Sequence, residues 1–275
     1  MRRNPPLIGG LVLLIGLLLF IVVGQIVYGT EGYRPLSAPP MQSPTYEYPF
    51  GTDKVGRDIL AVMLAGTPLT LRIGLIAGVI GLGLGTVLAF VAAYYGGLID
   101  GAIRTVVDVG LTIPGLLILI LIAVNVGSSL SVDQMGLAVA AVAWVYPART
   151  IRSQVLVLRE RPYVEIARLS GTSGLGIIFK EMMPNLMPFL LANFVGAVSS
   201  AILASIGLEA LGLGPFDSPT IGMTIYWNIH STSILLGMWW WFMPPIVVLG
   251  VVFVGLFLVA SGLDEWSNPR LRKRT

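Results

Sequence analysis

The sequence predicts an all-α integral membrane protein with six transmembrane helices, and three observations predict it. Of its 275 residues, 55% are hydrophobic and only 11% carry charge, far from the roughly one-quarter charged residues of soluble domains. Uncharged apolar runs recur at residues 7–28, 73–99 and 182–208, each long enough at about 1.5 Å per helical residue to cross some 30 Å of hydrocarbon. Basic residues concentrate in segments that six crossings leave on one side.

Arg2 and Arg3 precede the first run, which exceeds the core of a secretory signal and lacks a following A-x-A site, so it is expected to remain as the first helix. Residues 29–67 contain Pro35, Pro39, Pro40, Pro44 and Pro49 and lack helical periodicity; they read as an extended external segment. Its end, residues 53–64, places Val55, Ile59, Leu60 and Met63 as in a short amphipathic helix on the membrane surface. There Asp53, Arg57 and Asp58 should face water or pair with one another. Residues 1–68 are thus an N-terminal helix with its external segment.

The second span is residues 73–99, where Gly74, Gly78, Gly81 and Gly85 allow close helix contact. Gly81-x-Gly83 lacks the further glycine and the strand of a dinucleotide fingerprint. A third span runs from about Ile103 to Val126. Asp108 stands one turn beyond Arg104, where an i,i+4 ion pair can form, and its place near a span end favours a structural pair or subunit contact. Pro114 frees a carbonyl and should kink this span, serving a gate or relieving packing.

The fourth span is short, around residues 135–146, and is expected to continue as one helix through Arg149. The fifth lies within residues 182–208; Ser199, Ser200, Ala201, Ala204, Ser205 and Gly207 near its end suit close packing or a polar cavity wall. Glu209 should end it at the external surface. Residues 210–233 are too broken by Gly and Pro for a span and read as a folded or partly re-entrant external loop. His230 there has no acidic or Cys neighbour, so no metal site is expected. Trp239, Trp240 and Trp241 suggest an aromatic belt opening the sixth span, which should reach Leu263 despite Pro244 and Pro245. Residues 69–263 are then a five-helix core, and residues 264–275 a basic tail.

With both termini cytoplasmic, Arg2, Arg3, Arg104, the basic residues of the loop 149–185 and those of the tail fall inside, leaving Arg34, Lys54, Arg57 and Arg72 at the outer side. Positive charge that follows topology in this way, without aromatic platforms, argues against nucleic acid and for membrane lipid as the surrounding partner. The chain has no cysteine, which excludes disulfides, iron–sulfur clusters and thiolate zinc sites. It also lacks G-x4-G-K-[ST], H-E-x-x-H and G-x-S-x-G motifs, and one His leaves no room for most triads. An ion-coupled secondary carrier would need ionisable groups near mid-bilayer; Asp108 is its single candidate, and no internal repeat supports it.

The remaining long stretch, residues 149–185, is charged and lies between spans. Pro162 is placed to open a short helix; Val164, Ala167 and Leu169 supply an apolar face beside Glu165 and Arg168, and Gly171 a stop. A second short helix over residues 175–183 should halt at Pro184. Two short helices about a glycine suit a docking element.

Glu165, Ala167, Gly171 and Pro184, spaced E-x-A-x3-G-x12-P, resemble the EAA loop of the membrane subunits of ATP-binding-cassette importers. Ile166, Glu181 and Met183 depart from that family's usual alanine, isoleucine and leucine. P-F-G-T-D-K-V-G-R-D at residues 49–58, L-E-A-L-G-L-G at 208–214, S-P-x-x-G at 218–222 and N-P-R-L-R at 268–272 resemble the dipeptide and oligopeptide permease branch. The similarity extends from Pro49 to the C-terminus.

The resemblance implies a type I importer transmembrane fold in the cytoplasmic (inner) membrane and a permease subunit without a catalytic site or cofactor of its own. ATP and magnesium would belong to two associated ABC ATPase subunits; a second homologous permease and an external solute-binding protein would complete the machine. It implies that Glu165 and Arg168 are polar anchors to the ATPase, that Ala167 and Gly171 give close fit, and that Val164 and Leu169 bury the helix face, with Tyr163 and Pro184 in the same coupling loop. Residues 46–58, including Asp53, Arg57 and Asp58, and residues 210–233 are the candidates for contact with the binding protein or the second permease. Peptides are the leading substrate. Relatives also carry oligosaccharides or nickel, the latter disfavoured here by the want of an acidic or His cluster.

Overall fold

Helix α1 (Pro5–Val27) begins as its first residues dictate: the Asn4 side chain accepts the Leu7 N–H, and prolines occupy the first turn, where no N–H is needed. The computed structural model describes residues 4–126 and 129–267; Arg2, Arg3 and residues 268–275, which hold the basic residues of the tail and the N-P-R-L-R motif, lie outside them. The described residues are helical, joined by turns, with no strand beyond one isolated bridge between Thr52 and Asp58. The elements after α1 are α2 (Ile59–Tyr95), α3 (Gly97–Thr112), α4 (Gly115–Val126), α5 (Val132–Ala143), α6 (Val145–Arg159), α7 (Pro162–Leu169), α8 (Gly174–Gly176), a π-turn (Ile177–Met182), α9 (Met183–Ala210), α10 (Ile221–His230) and α11 (Trp239–Ser267).

Most of α1 is exposed in the isolated chain. Its packed side lies on α11, where glycines bring the backbones together: a Cβ on Gly10 would come within 2.7 Å of the Gly255 carbonyl, and one on Gly262 within 2.6 Å of Leu7.

Residues 28–58 are a hydrogen-bonded cap, in contrast to the extended segment expected. Asp53 is fully buried and accepts the N–H groups of Val55 and Arg57, 2.9 Å each, and the Arg57 guanidinium at 2.5 Å. The Thr52 hydroxyl donates to the Pro39 carbonyl and accepts from the Gln42 N–H. No separate surface helix forms at residues 53–64. Asp58 instead caps α2 through the Leu60 N–H at 3.0 Å, and Ile59, Val62, Met63 and Leu64 go straight into the core. With Asp58 supplying a start, nothing separates these residues from the apolar run after them.

Helix α2 passes through Pro68 and the 68–69 boundary suggested by the sequence. Pro68 cannot donate to the Leu64 carbonyl, and the Gln25 side chain of α1 donates there instead, at 2.8 Å. Further along, Gly74 and Gly78 meet Ile202 and Val198 of α9, while Gly81 and Gly85 meet Ala143 and Pro147 at the α5–α6 junction. The glycine stripe thus seats one helix against two neighbours.

The expected third span is broken rather than kinked: α3 and α4 diverge by 86°. Pro114 causes this twice over, forbidding the Gly110 bond and pushing Ile113 into the extended region (φ −83°, ψ 127°). The expected continuous helix from the fourth span is likewise interrupted, at Trp144, because Pro147 has no N–H for the Ala143 carbonyl.

Among the described residues, four helical stretches, α1, α2, Gly174–Ala210 and the Trp239–Glu265 part of α11, are long and apolar enough to cross a membrane; the bent α3–α4 pair makes a fifth candidate. Helix α5 is too short alone, so a sixth crossing needs α6 as well. Within the segment expected as a folded loop, residues 210–233, the chain forms the short helix α10, with Ile221, Met223 and Thr224 buried. The three tryptophans do not form one belt. At about 100° per residue they point apart: Trp239 is exposed, Trp240 donates to the Thr52 carbonyl at 3.2 Å, and Trp241 is in the core.

Candidate functional site

At the end of α2 opposite Asp58, α7 rides on the joined ends of α2, α6 and α9. Pro162 fills its first turn, and Arg161 before it is extended, as a residue preceding proline should be. The C-terminus closes with the bond pattern of a Schellman motif: Thr172 N–H to the Ala167 carbonyl at 3.0 Å and Gly171 N–H to the Arg168 carbonyl at 3.1 Å. Gly171 sits at φ +78°, a left-handed conformation that costs a Cβ-bearing residue about 1–2 kcal/mol.

Val164 is fully buried, in a cluster with Phe90 and Ala93 of α2, Ile151 and Val155 of α6, and Ile177, Met182 and Leu186. Tyr163 and Ala167 pack around this cluster. Burial pushes the Tyr163 phenol up, and its hydroxyl has no hydrogen-bond partner among the described residues. Leu169 does not share this face. Five residues from Val164 is about 500° of rotation, or 140° around the helix, and Leu169 is 82% exposed. The outward side of α7 is therefore Glu165, Ile166, Arg168 and Leu169: two opposite charges and two exposed aliphatic groups.

Pro184 does not halt a helix. The π-turn Ile177–Met182 leads directly into α9, with the Met183 N–H reaching five residues back to the Ile178 carbonyl. This wider turn leaves room for a proline in the first turn of α9. The platform beneath α7 is fixed by two contacts that span too much sequence to read locally: Arg152 of α6 holds Asp100 of α3 through both its Nε and a terminal nitrogen, and Arg159 donates to the Ala93 carbonyl at 2.8 Å.

The other predicted residues lie elsewhere. Arg104 and Asp108 form the anticipated i,i+4 pair on α3, at 3.5 Å and largely exposed, and Pro114 marks the α3–α4 break. Asp53 and Asp58 turn inward, and the Arg57 guanidinium lies 5.9 Å from the Trp227 ring of α10. Burial pushes the Asp58 carboxyl up, opposed by hydrogen bonds from Tyr28 and the Leu60 and Ala61 backbone. His230 stacks on Tyr226 at 4.1 Å, and the described residues contain no His/Cys/Asp/Glu cluster of metal-binding form.

Between α5, α9 and α11 opens a cavity of about 520 Å³. Asn193, Gly196, Ala197, Ser200, Ala201 and Ala204 of α9 line one wall, facing Val139 and Tyr146. The hydroxyl and small residues of α9 divide between this wall and buried packing, where Ser205 lies.

Residues 81–273 match the family model described as binding-protein-dependent transport system inner membrane component. The chain is 29% identical to the dipeptide transport system permease protein DppC of Bacillus subtilis over 99% of its own length and 84% of that protein's. It is 28% identical to the DppC of Alkalihalophilus pseudofirmus, covering 99% and 88%, and 28% identical to the oligopeptide transport system permease protein OppC of Mycobacterium bovis, covering 84% and 79%. The chain belongs to the family of inner membrane components of binding-protein-dependent transport systems.

Proposed function

We propose that this chain is a permease subunit of an ATP-driven importer that moves di- or oligopeptides across the cytoplasmic membrane by alternating access. The observation that carries the reading is the presentation of α7. A helix closed at a left-handed glycine is seated by Val164 on the ends of the membrane helices and offers Glu165, Ile166, Arg168 and Leu169 outward. In this reading two ABC ATPase subunits receive that face, supply ATP and magnesium, and transmit closure through it. Coupling of this kind needs contacts that differ between two states of the bundle.

The chain crosses the membrane six times, α5 and α6 together making one crossing, with both termini in the cytoplasm. A second, homologous permease lies against the α9 side, where the cavity lined by Asn193 and Ser200 is this subunit's share of the path. A solute-binding protein docks at the opposite face, near residues 46–58 and α10. Peptide is favoured as substrate by the names of the relatives.

Reconstitution in vesicles with the second permease, both ATPases and the binding protein tests this. ATP-dependent uptake of labelled peptide, outcompeted by peptides and not by oligosaccharides, is expected. Uptake of oligosaccharide alone would overturn the peptide assignment, and absence of any ATPase association would overturn the importer assignment.

A further inference from the structure

Glu209 has the sequence position of a charge that ends a span at the surface, yet it is fully buried at the last turn of α9. Its Oε2 accepts the Thr220 hydroxyl and the Met223 N–H, the latter at 2.9 Å, which are the cap and a first-turn donor of α10. Its Oε1 has no hydrogen-bond partner among the described residues. The surroundings are shaped to this side chain: a Cβ on Gly222 would overlap Oε2, and one on Gly214 would come within 2.6 Å of Cγ.

The turn that Glu209 grips is held from its other side by α2. Thr70 accepts the Ile221 N–H at 2.9 Å, and Gly66 lies directly against the Pro219 carbonyl. At its far end α10 is tied to α11 by Asn228, which donates to the Trp241 carbonyl at 3.3 Å. A buried carboxylate costs several kcal/mol unless well bonded, and Thr220 already caps α10 by itself at 3.2 Å. Capping alone therefore does not account for Glu209. What it adds is a bond between two helices.

Helix α9 is also the far part of the Gly174–Ala210 rod, which begins three residues after Gly171 and, at about 1.5 Å per residue, is some 55 Å long. One end of this rod supports α7; the other is fastened to α10 through Glu209. We propose that Glu209 is a positioning residue that locks α10 to α9, so that displacement of the rod at the α7 end arrives at the opposite face as displacement of α10. The inference rests on the importer reading above.

The test compares ATP hydrolysis by the complete reconstituted importer with and without binding protein loaded with trialanine. Glu209→Ala and Gly222→Ala should assemble with the ATPases and keep basal hydrolysis, while stimulation by loaded binding protein falls about tenfold. Glu209→Gln, which keeps an acceptor oxygen for Thr220 and Met223, should restore most of the stimulation. Wild-type stimulation in Gly222→Ala or Glu209→Ala overturns the proposal, as does equal loss of assembly in the Ala and Gln variants, which marks a merely structural residue. If the wild type itself is not stimulated, the importer reading has failed first; if only the variants match the wild type, this inference alone has failed.

Discussion

The Gln25 side chain of α1 donates a 2.8 Å hydrogen bond to the Leu64 carbonyl of α2, the acceptor that Pro68 leaves without its helical partner. A proline inside a long helix is thereby tolerated, and α1 gains a polar tether to α2. Removing the donor should destabilise the protein in detergent by about 1 kcal/mol. Gln25→Ala should therefore lower the unfolding temperature, and Pro68→Ala, which restores the helix's own bond, should cancel most of that loss. A full-sized effect of Gln25→Ala in the Pro68→Ala background would show that the tether is not what matters.

Asp58 begins α2 and is buried, so its two functions can be separated. Asp58→Ala should cost about 1 kcal/mol by loss of the cap, and Asp58→Asn much less. Because burial raises the folded-state carboxyl, its favourable contribution is complete below the ordinary aspartate range and is lost as pH rises through the folded value. Relative to Asp58→Asn, the wild type should gain stability as pH falls from 7 toward about 4. Thermal unfolding across that range checks the sign; a relative loss on acidification contradicts it.

Two glycines two residues apart on α2 should respond oppositely. A Cβ on Gly85 would come within 2.8 Å of the Trp144 carbonyl and 2.9 Å of the Ala148 nitrogen, whereas one on Gly83 meets nothing within 4 Å among the described residues. Gly85→Ala should cost about 1–3 kcal/mol by overpacking against backbone. Gly83→Ala should be neutral or stabilise by up to about 1 kcal/mol. Denaturation in detergent distinguishes them, and equal effects would refute the close α2–α6 seating.

The contrast between these positions shows what the sequence could reveal. Gly74, Gly78, Gly81 and Gly85 were legible as a packing stripe because their spacing is helical, and Pro162 and Gly171 because start and stop signals are local. The Gln25 tether, the Asp100–Arg152 pair and the burial of Glu209 depend on partners far along the chain or on a loop that folds back, so no local pattern marks them. Leu169 departs from its expected face for a simpler reason: apolarity groups it with Val164, but about 140° of helix separates the two. The effect of Pro114 was legible in kind, and its 86° extent was not, because the angle is set by how α3 and α4 pack after the helix is broken.

The two sides of α7 should fail differently when charged. Val164→Asp puts a carboxylate into a fully buried cluster and should abolish folding or cost several kcal/mol. Leu169→Asp alters an exposed position and should leave the unfolding temperature unchanged while weakening association with the ATPases. Loss of thermal stability in Leu169→Asp would place that side chain in this subunit's own core.

The absence of cysteine from the chain allows the central claim, that the outward face of α7 meets an ATPase subunit, to be measured directly. Single Ile166→Cys and Leu169→Cys variants, assembled with ATPases bearing introduced surface cysteines, should form intersubunit disulfides that block stimulated hydrolysis and are reversed by reductant. Single cysteines at Arg104 and Asp108, exposed on α3, serve as controls and should not. Cross-linking no stronger from α7 than from α3 would contradict the account.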